Sequence, residues 1–160
     1  YLSAFVKNLE QSCATAYAQD GVAFVFECSD RGMARFDEHK LNRVLLNLCR
    51  NAAQAMESGG TCRVKIDRVK DELHIQVSDQ GVGIPENIKA RVFQAFESHG
   101  KEGGTGLGLS MARRIVEAHG GKIRIDSTEG RGTDVHITIP AEFSTEERSV
   151  ETHTGEEAPQ

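Results

Sequence analysis

A single α/β domain is what this sequence predicts, and three observations carry the prediction. Its 160 residues, 38% hydrophobic and 27% charged, suit one domain with one core. Stretches with apolar residues at helical spacing alternate with stretches of strand parity. The later strands come in pairs joined by short turns, which makes them hairpins rather than isolated crossings.

Leu2, Phe5, Val6, Leu9, Cys13 and Tyr17 recur at helical spacing, so LSAFVKNLEQSCATAYAQ reads as an amphipathic helix stopping before Asp20-Gly21. In VAFVFEC, Val22, Phe24, Phe26 and Cys28 share one parity, as a half-buried strand requires, and SDRGMARF connects it to a helix over about 37 to 56. TCRVKIDRV and ELHIQVSD alternate apolar with polar residues around a Lys70-Asp71 turn, which predicts a hairpin. A short helix is expected from Pro85, with Ile88, Val92 and Phe96 on one face. After the glycine-rich run KEGGTGLGLS comes a helix whose expected apolar stripe is Leu107, Met111, Ile115 and Ala118. GKIRIDS and TDVHITIP close the domain as a second hairpin, with Ile123, Ile125, Val135, Ile137 and Ile139 facing inward and TEGRG as the turn. The expected domain covers 1–140. Residues 141–160 read as an acidic disordered tail without an apolar stripe, and there is no internal repeat.

A net charge of −5 argues against a general nucleic-acid or anionic-membrane surface. Cys13, Cys28, Cys49 and Cys62 lack zinc-site spacing, and no signal-peptide or membrane-length apolar segment is present, so a reduced, cytoplasmic setting is expected. A chain that opens at Tyr1 directly in helical pattern reads as an excised domain, whose parent is free to be membrane-anchored.

Three places invite chemistry. On the helix over 37–56, Leu41, Val44, Leu45, Leu48, Ala52, Ala55 and Met56 form an apolar stripe, with Asn47 and Asn51 one turn apart on its edge and Arg43 and Arg50 on the far side. Such amides are either satisfied by nearby backbone or serve as neutral oxygen ligands for Mg²⁺, which prefers oxygen donors and phosphate-bridged sites. Asp79 continues the inward parity of Leu73, Ile75 and Val77, so its carboxylate needs donors. Those are either the backbone N–H groups of the following turn, at Gly81 or Gly83, or the exocyclic amine of a base such as adenine. The two glycines would serve the turn, or would let a flat ring lie against the backbone. Phe93 and Phe96 read most simply as core anchors, with the wall of a pocket as the alternative.

The run KEGGTGLGLS carries neither the Walker pattern nor GxGxxG after a strand, yet it leads straight into a helix. Its glycines clear space at a helix N-terminus, where unpaired N–H groups can meet an anion, and Lys101 adds a mobile positive charge.

Taken together, FDEHKLNRVLLNLCRNAAQAM, DQGVGIP, VFQAF and GGTGLGLS resemble the N, G1, F and G2 boxes of the histidine-kinase catalytic and ATP-binding domain of the GHKL superfamily. The match continues through RRIVEAHGGKIRIDSTEGRGTDVHITIP and covers most of residues 1–140; the short lid and NLCRNAAQAM look like the nitrogen-regulation type of sensor kinase. The resemblance implies a two-layer α/β sandwich of the Bergerat type, a mixed, mostly antiparallel sheet with helices on one face. It implies that Asn51 coordinates Mg²⁺, that Asn47 lies near the phosphates, and that Asp79 accepts from the adenine amino group beside Gly81 and Gly83. Phe96 to Gly104 would form the ATP lid, with His99 and Lys101 as phosphate contacts. The N–H groups of Gly104, Thr105, Gly106, Leu107, Gly108 and Leu109 would cradle the triphosphate.

The implied partners are a dimerisation domain carrying the phosphoacceptor histidine, and a response regulator. The parent would be a homodimer and the isolated domain a monomer. The family's acceptor histidine is usually followed by an acidic residue, and none of His39, His74, His99, His119, His136 or His153 is, so the acceptor is expected outside this chain. The clamp ATPases of the same superfamily carry a glutamate one turn before the magnesium asparagine, where this chain has Asn47, so efficient autonomous hydrolysis is not expected. A nucleotide-binding module without transfer activity is the remaining alternative.

Overall fold

The computed structural model describes residues 1–17, 21–94 and 108–144. In chain order they form α1 (Leu2–Ala16), β1 (Val22–Cys28), β2 (Met33–Arg35), α2 (Glu38–Ala55), β3 (Gly60–Val69), β4 (Glu72–Asp79), α3 (Glu86–Lys89), α4 (Gly108–Ala118), β5 (Lys122–Thr128), β6 (Gly132–Pro140) and β7 (Glu142–Ser144). Five strands make one sheet in the order β1-β3-β4-β6-β5, with β1 parallel to β3 and every other neighbour antiparallel.

Period-two alternation decides which sheet face is covered. The register sets Phe26, Val64, Val77, Val135 and Ile125 in one row across the sheet, and Cys28, Ile66, Ile75, Ile137 and Ile123 in the next. The central members are buried and the outermost, on edge strands, half-buried. Against these rows lie Leu2, Phe5, Leu9 and Cys13 of α1, Leu41, Val44, Leu45, Leu48 and Ala52 of α2, and Ala112 and Val116 of α4. The opposite face carries ion pairs such as Arg63 with Glu27 (3.3 Å), Lys65 with Asp67 (2.9 Å) and Arg124 with Asp126, as a solvated face does. This is a two-layer sandwich with its helices on one face. Among the described residues no helix is long and apolar enough to cross a membrane.

Two helix ends have a visible side-chain cause. Asp37 caps α2, its Oδ1 accepting the Lys40 N–H at 3.0 Å. His119 closes α4 by donating from Nδ1 to the Ile115 carbonyl at 2.7 Å, and its Nε2 lies 3.8 Å from Asp37 Oδ2, joining the end of α4 to the start of α2.

Several expectations are corrected. SDRGMARF is not only a connection, because Met33–Arg35 pairs antiparallel with Glu142–Ser144 in a separate two-stranded sheet. The fold therefore runs past 140, and residues 141–144 are structure rather than tail; Ala141 is buried and Arg68 lies over the Phe143 ring at 4.1 Å. The rest of the expected tail, 145–160, lies outside the described residues. The α4 stripe is turned by one residue, with Ala112 and Val116 fully buried, Met111 and Ile115 half-buried and Ala118 exposed. The helix from Pro85 is a single turn, although Val92 beyond it is buried.

Candidate functional site

At one end of the sheet the apolar rows give way to a polar one. Two residues beyond Val77, Val135 and Ile125, on the same inward parity, stand Asp79, Thr133 and Ser127, and the register pairs Asp79 with Thr133 and Thr133 with Ser127. Asp79 Oδ1 accepts the Gly81 N–H at 2.9 Å, so the turn reading of this aspartate is observed. Burial pushes the Asp79 carboxyl above its ordinary value; the N–H groups of Gly81 and Thr133 pull it back, and the charge of Asp134 adds to the rise. The carboxylate is an inward acceptor whose own donors do not offset its burial.

The loop after Asp79 is tied on both sides. Val82 N–H donates to the Ala55 carbonyl at the end of α2 (3.1 Å), and Gly130 N–H donates to the Val82 carbonyl (2.7 Å). Ile84 N–H donates to Ser127 Oγ at 2.8 Å. These ties explain the glycines. A Cβ on Gly81 would stand 2.5 Å from the Ala55 carbonyl oxygen, and Gly83, at φ +69°, would drive one into the Thr128 carbonyl. Both glycines are thus required by protein packing on protein. Val82, at the loop's tip, is 62% exposed.

The C-terminal half of α2 carries the two asparagines. Both are half-buried on the edge of the apolar face, and Arg43 and Arg50 are exposed on the far side, as the periodicity predicts. Asn47 Nδ2 is buried and has no hydrogen-bond partner among the described residues. A buried amide donor left unpaired costs about 1–3 kcal/mol, so this group marks either strain or a place kept for an acceptor. Asn51 faces the first residue of α4, where a Cβ on Gly108 would lie 3.8 Å from Asn51 Oδ1. Packing of α2 on α4 brings the amide to a helix N-terminus whose first N–H groups have no partners within the helix. Leu109 is half-buried behind it.

Gly81 and Gly108 therefore lie against the C-terminal half of α2, which carries Asn47 and Asn51; Asp79 adjoins through Gly81, Gly83 packs on Thr128, and Leu109 follows Gly108 on α4. Phe96, His99, Lys101, Gly104, Thr105, Gly106 and Leu107 lie outside the described residues. Two residues of the sheet's polar end escaped the sequence reading, Thr133 and Ser127. The signal was present: counting two residues outward from Val135 and Ile125 on the same parity reaches both. His74 and His136 face outward as expected, beside Glu72 (3.2 Å) and Asp126 (3.3 Å).

Among the described residues no three of His, Cys, Asp and Glu are grouped to hold a metal ion. A single amide oxygen at a helix N-terminus suits Mg²⁺ only when substrate oxygens and water complete its shell, which is how that ion is usually held beside phosphates. The donor set fits that arrangement, and the described residues form no all-protein cage.

Comparison with known proteins bears on fold and family. The family model described as "Histidine kinase-, DNA gyrase B-, and HSP90-like ATPase" matches residues 36–143. The circadian input-output histidine kinase CikA of Synechococcus elongatus is 41% identical over 111 residues, 66% of this chain and 15% of that protein. The nitrogen regulation protein NtrY of Azorhizobium caulinodans is 36% identical over 129 residues, 76% of this chain and 17% of that protein. This chain thus spans less than a fifth of either relative's length. Among solved structures, the nucleotide-free catalytic domain of the histidine kinase ThkA superposes with a TM-score of 0.76 at 29% identity, covering 87% of this chain and 91% of that one.

Proposed function

From the premise that this chain belongs to the histidine kinase-, DNA gyrase B- and HSP90-like ATPase family, as a histidine-kinase ATP-binding catalytic domain, we propose that it binds ATP with Mg²⁺ and hands the γ-phosphoryl group to a histidine on a dimerisation domain outside the chain. An aspartate of a response regulator would then receive the group, and the parent would act as a homodimer, the isolated domain being a monomer.

The observation that carries this reading is a buried donor without a partner among the described residues, Asn47 Nδ2 on α2, in a fold whose inward sheet row ends in Asp79, Thr133 and Ser127 and whose α2 meets the start of α4 at Asn51. Asp79 and the loop tied at Val82 and Ile84 take the base, the carboxylate accepting from its exocyclic amine. Asn47 offers its amide hydrogens to phosphate oxygen, and the first N–H groups of α4, at Gly108 and Leu109, which have no carbonyl partner within the helix, face developing negative charge without reorganising. The Asn51 amide oxygen would hold Mg²⁺ in part, and the ion would supply further positive charge against the phosphates. Phosphoryl transfer asks mainly for such positioning, so the chain needs no nucleophile of its own.

The clamp ATPases orient water with a carboxylate; an amide at Asn47 cannot take a proton from water, which favours transfer over hydrolysis. Calorimetric titration with an ATP analogue, with and without Mg²⁺, together with a turnover assay, tests the reading. Mg²⁺-dependent binding with very slow hydrolysis supports it. Rapid turnover by the isolated domain overturns it in favour of a clamp ATPase.

A further inference from the structure

Ser127 is the one polar residue in the buried class among the described residues, and its hydroxyl makes three contacts. It receives the Ile84 N–H at 2.8 Å, it reaches the Gly132 carbonyl at 2.9 Å, and it lies 2.8 Å from Thr133 Oγ1. A serine hydroxyl has one hydrogen and two lone pairs. The Gly132 carbonyl can only accept, so the serine hydrogen goes there. The Ile84 N–H fills one lone pair. The remaining lone pair can only accept, which leaves Thr133 as the donor in the third contact.

That assignment fixes a polarity. With its hydrogen committed to Ser127, Thr133 Oγ1 keeps only lone pairs for anything else it meets, and Thr133 is the register partner of Asp79. The sheet end then presents two acceptors side by side, the Asp79 carboxylate and the Thr133 hydroxyl, and no rotating donor between them. A ligand edge bearing N–H groups meets complementary partners; one bearing a carbonyl oxygen meets lone pair against lone pair.

We propose that Ser127 is a specificity-determining residue, which selects a 6-amino purine over a 6-keto purine by holding the Thr133 hydroxyl as an acceptor beside Asp79. It acts through Thr133 and touches no reacting atom, so it is a positioning residue. The inference rests on the proposed nucleotide site.

The experiment measures the ratio of ATP to GTP affinity, in the presence of Mg²⁺, for wild type, Ser127→Ala, Ser127→Thr, Thr133→Val and the Ser127→Ala/Thr133→Val double variant, with thermal unfolding alongside. In Ser127→Ala the threonine hydroxyl is released and can donate to a keto oxygen, so the ATP preference should fall about tenfold, the worth of roughly one hydrogen bond. Ser127→Thr keeps a hydroxyl and should restore most of the preference. In the Thr133→Val background the serine substitution should leave the ratio unchanged. A merely structural role would lower the unfolding temperature and weaken both nucleotides equally, and that result overturns the inference. So does full ATP preference in Ser127→Ala. If Ser127→Ala does not fold, an unaltered ratio in Thr133→Val overturns it. Equal binding of ATP and GTP by the wild type overturns the inference and leaves the nucleotide site standing; absence of binding of either overturns the nucleotide-site reading itself.

Discussion

The Asp79 carboxylate accepts the Gly81 N–H at 2.9 Å, yet that bond and the Thr133 N–H together fail to offset its burial. A carboxyl whose folded value lies above its unfolded value holds its proton longer in the folded state. Stability is then lost as pH rises from the ordinary carboxylate range, about 4, through the raised folded value. Asp79→Asn keeps an acceptor for Gly81 and removes the charge. The nucleotide-free variant should melt above wild type at pH 7, with the difference shrinking as pH is lowered below the ordinary carboxylate value, while its preference for adenine nucleotides falls. Thermal unfolding across pH and nucleotide titration check the two halves; an unchanged or lower melting temperature at pH 7 contradicts the first.

Asn47 and Asn51 should separate in their effects. Asn51→Ala removes an oxygen at the start of α4 and should abolish the Mg²⁺-dependent part of nucleotide affinity while leaving the fold intact. Asn47→Leu replaces an amide whose buried Nδ2 has no partner among the described residues with an apolar group of similar size, so the nucleotide-free domain should be as stable as wild type or more so, and nucleotide binding weaker. Unchanged affinity in both variants removes the asparagines from the site.

Gly83 and Gly130 differ in what surrounds them. Both have positive φ, but a Cβ on Gly83 would meet the Thr128 carbonyl, whereas one on Gly130 has open space. Gly83→Ala should therefore cost more in denaturant unfolding than Gly130→Ala, whose backbone strain alone is worth about 1–3 kcal/mol. Equal losses would mean that the loop relaxes away from β5.

Cys13, Cys49 and Cys62 meet in the core, the Cys49 thiol touching both others, and all three have zero exposure. Hydrogen bonding from Cys49 holds the Cys13 thiol below its ordinary value, and the same contacts push Cys49 up. Cys28, half-buried, donates to the Asp30 carbonyl at 3.1 Å, and burial raises its thiol. Reaction with an aromatic disulfide reagent should modify at most one thiol, slowly, in the native protein, and all four after unfolding. Two or more fast thiols in the native state would contradict this core.

What was legible in the sequence follows from what each signal measures. Parity gave β1, the two hairpins and the inward direction of Asp79, because pleat and burial act residue by residue along one strand. Helical period gave the buried stripe of α2 and the edge position of Asn47 and Asn51. The pairing of Met33–Arg35 with Glu142–Ser144 joins segments far apart in the chain, and neither has enough length to show a period. The neighbourhood of Asp79, Thr133 and Ser127 depends on the register of three strands, which no single segment states. The packing of Gly81 against Ala55 and of Gly83 against Thr128 was illegible for the same reason, since those partners reach the loop across the fold.

The central claim is transfer to histidine, and the most direct measurement mixes this domain with ATP labelled at the γ-phosphate and a separately made phosphoacceptor domain of the same kinase. The account predicts label on a histidine of the acceptor domain, labile in acid and stable in base, lost in Asn51→Ala and absent when the acceptor is omitted. Tight Mg²⁺-dependent ATP binding with no label on the acceptor would contradict it and leave a nucleotide-binding module.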